Sequence, residues 1–165
     1  MIKLKDTLFR PTVMLLISLA ITLLFALFVI VLIKGEKQRS VLIYDTPVIF
    51  PFVLFIFDRL KRLNETSFKQ KCIDGLVLPV AIARAILPVP LVSGHALFLT
   101  YAILSVRLTL ARYVAILVIF EVIYFKVTGH DLTVVGGIAL GLTMALVFRK
   151  FSHNSSNLFI SDGRG

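Results

Sequence analysis

The run VMLLISLAITLLFALFVIVLI, Val13–Ile33, decides the class of fold. Its 21 residues carry no ionisable side chain. As an α-helix rising about 1.5 Å per residue they reach roughly 30 Å, the hydrocarbon thickness of a bilayer. Lys3, Lys5 and Arg10 precede the run. A cleavable secretory signal has a similar basic flank but a shorter apolar core, so the run reads as a first transmembrane helix. The composition agrees. Of 165 residues 58% are hydrophobic and only 16% charged, which suits a polytopic membrane protein and not a soluble domain.

Outward from that helix, the chain alternates apolar runs with basic connections. Helices are expected at about 12–33, 41–57, 75–87, 95–108, 111–125 and 132–148. The second contains Pro47 and Pro51, so its start is expected to be kinked or irregular. The polar stretch 58–71 suits a short interfacial helix. The expected class is therefore all-α, a polytopic membrane protein with six transmembrane helices. Residues 1–151 form the membrane domain, and 152–165 a polar, mobile tail.

Charge sets the orientation. With the N-terminus inside, 13 of the 18 basic residues fall on inner segments, leaving Lys34, Lys37, Arg39, Arg84 and Lys126 on the outer side. The positive-inside rule then puts both termini in the cytoplasm. Parity puts the connections holding His95 and His130, and the start of the second helix with Asp45, on the outer face. The net charge of +9 lies between apolar runs and not along a solvated stripe, so nucleic acid is not an expected partner, whereas membrane lipids are. Cys72 is the single cysteine, and no second Cys or His stands at metal-ligand spacing, so neither a disulfide nor a metal is expected.

Few polar residues remain to carry chemistry. Arg84 lies about two turns before the outer end of the third helix, where a charge usually faces a cavity or a bundle interior; the plainer alternative is an arginine that snorkels outward. Its forked donors suit phosphate oxygens. Ser93-Gly94-His95 opens the fourth helix. Ser93 there is a ready helix cap, and the free N–H groups of the same turn favour an anion. Lys126 and His130 are four apart, and Asp131 follows at the start of the sixth helix, where a carboxylate is favourable as a cap. A histidine beside a carboxylate is also a way to orient an imidazole. Gly137 and Gly141 form a G-x-x-x-G pair that permits close helix packing.

The tripeptide Ser93-Gly94-His95 opening a fourth helix, with His130, Asp131 and the glycines opening a sixth, resembles the type-2 phosphatidic acid phosphatase superfamily. That family's pattern is K-x6-R-P, then P-S-G-H, then S-R-x5-H-x3-D. The resemblance covers about 73–148. Val92 stands at the proline of the central motif, and Asp131 follows His130 directly where the family has a spacing of four. Tyr124 stands at the third-motif arginine, and no arginine follows Lys71 at the first-motif spacing. Arg84 is the preferred substitute because Lys71 falls on the inner side.

The resemblance implies a metal-independent and cofactor-free lipid phosphatase acting on a lipid monophosphate or an isoprenyl diphosphate. Its active site faces outward from the plasma membrane. His130 would be the nucleophile that becomes phosphohistidine, and His95 the proton donor to the leaving group. Asp131 would orient His130, with Asp45 as the alternative. Arg84, Lys126, Ser93 and Gly94 would bind the phosphoryl group. Two other readings stand beside this one. In one the chain keeps the fold as an inactive binder of lipid phosphates or a scaffold; in the other it is a small transporter or structural protein whose histidines are caps and packing residues.

Overall fold

A computed structural model describes residues 10–62, 65–66, 68–86 and 92–161; the side chains at 37, 82–86 and 151–161 fall outside that description. The described residues are all helical, with no strand among them. Six helices run in order: α1 Pro11–Leu32, α2 Thr46–Lys61, α3 Phe68–Ile86, α4 Gly94–Ser105, α5 Thr109–Thr128 and α6 Thr133–Ser161. A short turn, Glu36–Ser40, and a π-helical turn, Val41–Asp45, lead into α2.

Among the described residues, three segments are long and apolar enough to cross a membrane: Pro11–Leu32, Gln38–Lys61 and Thr133–Lys150. The first of these is also the least enclosed, since α1 buries only Met14, Ser18 and Val29. Leu16, Leu24, Phe28 and Val31 are left exposed along it. A helix apolar on every side, with most of that surface uncovered, belongs against lipid. Two of its hydroxyls are satisfied within the helix: Ser18 Oγ donates to the Met14 carbonyl at 2.7 Å and Thr22 Oγ1 to the Ser18 carbonyl at 2.8 Å. Gly35 turns the chain at φ +76°, and Gln38 reaches back to an orphan carbonyl at the end of α1, Ile30 O, at 2.9 Å.

The expected irregularity before α2 takes a definite form. Pro47 has no N–H and its ring crowds the carbonyl four residues earlier, so the chain widens ahead of it. The Thr46 N–H accordingly bonds to the Val41 carbonyl, five residues back. The wide turn ends on Asp45.

α4 is the axis of the bundle. Nine of its residues, from Gly94 to Ser105, are buried. It packs on α6, α5 and α3. The tightest contact is with α6: a Cβ on Gly137 would lie 2.5 Å from the Ser93 carbonyl, and one on Gly141 would lie 2.5 Å from that of Leu97. The G-x-x-x-G pair thus works within the chain, letting two backbones meet where lipid supplies no hydrophobic drive for helix association. α5 offers Ala111, Ala115, Val118 and Val122 to the core, and α3 offers Ile73, Val77 and Ala81.

Several boundaries depart from expectation, three of them with a plain cause. The fourth helix stops at Ser105, not Leu108, because Asp58 Oδ1 accepts the N–H groups of Arg107 and Leu108 at 3.2 and 2.9 Å. The third begins at Phe68, so 68–71 is its first turn and not part of a separate interfacial helix. α6 runs past Arg149-Lys150 to Ser161, since no Gly or Pro interrupts it between Gly141 and that point.

Asp58 is the centre of a buried ionic network at the C-terminal end of α4. Its Oδ2 meets Arg59 Nη1 at 3.1 Å and Arg62 Nη2 at 2.5 Å. Arg59 Nε faces Asp74 Oδ2 at 2.9 Å, and the Tyr101 hydroxyl donates to Asp74 Oδ1 at 2.6 Å. Arg59 also donates to the Ser105 hydroxyl and carbonyl, and its guanidinium lies over the rings of Phe55 and Phe148. Four helices, α2, α3, α4 and α6, are tied together there.

Candidate functional site

The other end of α4 is built differently. Ser93 is its N-cap: Ser93 Oγ accepts the Ala96 N–H at 3.4 Å. The Ser93 N–H donates to the Thr133 carbonyl at 2.8 Å, which ties the start of α4 to the start of α6. Gly94 and His95 occupy the first turn.

His95 Nε2 lies 2.8 Å from Asp45 Oδ1, with the imidazole 21% exposed. The π-helical turn therefore delivers a carboxylate across the bundle to the histidine. A carboxylate on Nε2 fixes the ring and leaves Nδ1 for another partner. Behind the pair is a cavity of about 520 Å³. Phe25, Val48, Phe52, Leu78 and Phe98 line it, while Asp45 and His95 supply its ionisable groups. Apart from the Asp45–His95 pair its lining is apolar, a chemistry that suits an amphiphile.

The α5–α6 connection carries the second cluster. α5 ends in a Schellman motif: the Asp131 N–H bonds to the Lys126 carbonyl at 2.8 Å and the His130 N–H to that of Val127 at 3.0 Å. The residue in the left-handed conformation is His130, at φ +56°, not Gly129. Glycine is the usual occupant of that position, and a side chain there costs about 1 kcal/mol. The His130 imidazole is exposed, and no hydrogen bond reaches it among the described residues. Strain at an exposed histidine is a reason to look for function, since nothing in the packing requires the side chain.

Asp131 is fully engaged. Its Oδ2 meets Lys126 Nζ and its Oδ1 accepts the Thr133 N–H at 3.0 Å, capping α6. Hydrogen bonds from Lys126, then from Thr133, hold its carboxyl down at about 2. The carboxylate expected to orient His130 is thus bound to Lys126 and the helix end. Asp45, the alternative, is bound to His95.

The two clusters share one end of the bundle. Ser93 bonds to Thr133, and the Tyr44 ring, next to Asp45, meets that of Phe125, next to Lys126, edge to face at 5.8 Å. Arg84 lies on α3 with its side chain outside the described residues, as does the side chain of His153 on α6. Among the described residues, no group of three His, Cys, Asp or Glu converges as metal ligands would. Asp45 thus pairs with His95 and not with His130. The signal for that pairing was an acid two residues before a proline that had to distort the helix.

No family model matches the chain, and comparison with curated proteins and with solved structures gives no match.

Proposed function

We propose that the chain is an integral-membrane lipid phosphatase, with six spans, both termini in the cytoplasm and its site at the outer face of the plasma membrane. The observation that carries this reading is the Asp45–His95 pair at the N-terminus of α4, set in the lining of an otherwise apolar cavity. A lipid phosphate suits that lining, with its tail in the cavity and its phosphoryl group against the first-turn N–H groups. His130 attacks phosphorus in line, forming an N–P bond as the P–O bond to the lipid breaks. His95, held by Asp45, gives its Nδ1 proton to the departing oxygen. Water then attacks the phosphohistidine, His95 takes its proton, and inorganic phosphate leaves. Lys126 keeps two ammonium hydrogens for phosphoryl oxygens while the third serves Asp131, and Arg84 joins it from α3.

A second reading has one observation in its favour. Asp131 is committed to Lys126 and Thr133, so no described carboxylate orients His130. A binder of lipid phosphates that does not turn them over would retain everything else. Purified full-length protein, in metal-free buffer with chelator, is to be assayed for phosphate release from lipid monophosphate and isoprenyl diphosphate. The proposal expects release that falls about 10²- to 10⁴-fold in His95→Ala, the usual span for a lost general acid. Retention of lipid phosphate without release would establish the second reading instead.

A further inference from the structure

Glu121 takes no part in either cluster. It lies on α5 among Tyr113, Leu117, Phe120 and Tyr124, all of them exposed, and is itself exposed. It follows Leu117 by four and precedes Tyr124 by three, so the three share a helix flank. At about 1.5 Å per residue it sits roughly 10 Å below the Thr128 end of α5 and roughly 18 Å from the Thr109 end. Helical side chains tilt toward the N-terminus, so the carboxyl leans away from the nearer end and does not snorkel to it. The two cations of α5 are occupied elsewhere: Arg112 bonds to the Val106 carbonyl, and Lys126 meets Asp131. No ion pair or hydrogen bond reaches Glu121 among the described residues. The exposed faces of α1 and of Thr133–Phe148 on α6 carry no ionisable residue at all.

We infer that this face of α5 is where two copies of the chain associate in the membrane, with the two Glu121 carboxyls hydrogen-bonded across the contact. This rests on the six-span reading, which places α5 in the bilayer. A carboxyl facing hydrocarbon needs a partner that both donates and accepts. Copies inserted in one orientation bring identical residues to the same depth about a two-fold axis. The two carboxyls then hydrogen-bond to one another across the contact. The partner's copy of the same face supplies aromatic rings at matching height, so the surface is complementary to itself.

The test uses full-length protein in phosphatidylcholine vesicles on a Cys72→Ser background, with single cysteines introduced by Leu117→Cys and Tyr124→Cys. Leu24→Cys on α1 and Leu142→Cys on α6 serve as controls. Oxidation is expected to cross-link the α5 variants into dimers and to leave the controls monomeric at the same protein-to-lipid ratio. Glu121→Leu is expected to raise the dimer dissociation constant roughly three- to thirty-fold, the range for one interhelical hydrogen bond, and Glu121→Gln to keep the dimer. Equal cross-linking at all four positions, or a dissociation constant unmoved by Glu121→Leu, overturns the inference. A membrane-impermeant maleimide separates the two possible failures. Labelling of Leu117→Cys would mean that α5 is not in the bilayer and the six-span reading falls. Protection from labelling without cross-linking would overturn self-association alone.

Discussion

The two ends of α4 lie roughly 15 Å apart along one helix and hold their charges in opposite ways. At the Ser105 end, both oxygens of Asp58 and both of Asp74 are engaged by arginines, a tyrosine and backbone N–H groups. At the His95 end, one carboxylate holds one edge of one imidazole, a second histidine stands strained and exposed, and a lysine spends one of its hydrogens. A network whose carboxylate oxygens are all engaged fixes helices against one another. An unsaturated one leaves donors for something that arrives. The contrast separates architecture from chemistry among charges that look alike in the sequence.

Asp58 is where the contrast should break most loudly. Asp58→Ala would leave Arg59 and Arg62 short of a buried counter-charge and free the N–H groups before α5. It should cost about 3–5 kcal/mol, read as a large fall in the unfolding midpoint in detergent. Asp45→Asn should do the reverse, with lipid-phosphate turnover down about 10- to 100-fold, as for other groups that orient a functional histidine, and an unfolding midpoint close to wild type. If Asp45→Asn unfolds the protein as Asp58→Ala does, the two ends are alike and the distinction fails.

Gly137→Ala joins the two ends of the scale. Its new Cβ would press on the Ser93 carbonyl and the Ala96 side chain, so both stability, by about 1–3 kcal/mol, and turnover should drop. His130→Gly should lose turnover while gaining up to about 1 kcal/mol of stability, because glycine relieves the left-handed strain at C′. His130→Ala should lose turnover without that gain. Smallest is the effect of acid on the Lys126–Asp131 link. Asp131 is depressed from 3.8 to about 2 in the folded protein. Its contribution is therefore present above about 4 and is lost as pH falls toward 2. Asp131→Asn should remove that part of the acid-unfolding curve and leave the rest.

Much of the architecture was legible. The apolar runs gave the helices, Pro47 gave the distortion before α2, and Gly137 and Gly141 gave the close contact with α4. Ser93 as a cap needed only its place before an apolar run. What the sequence hid were long-range pairings. Whether Asp45 meets His95 or His130 depends on the rotation added by one wide turn, which no local pattern encodes. Asp58 and Arg59 read as parts of the polar stretch 58–71 because their pairing with Asp74 is decided by how α2 and α3 pack on α4. His130 in the left-handed position has no local signal, because the neighbouring Gly129 is the residue type that usually takes that place.

The most direct test of chemistry at the His95 end is to trap the phosphoryl group on the protein. Full-length wild type, mixed with radiolabelled lipid monophosphate and quenched, should carry an alkali-stable, acid-labile label that is absent from His130→Gly. A wild type that releases phosphate yet carries no such label, or a His130→Gly protein that carries it, would contradict the account.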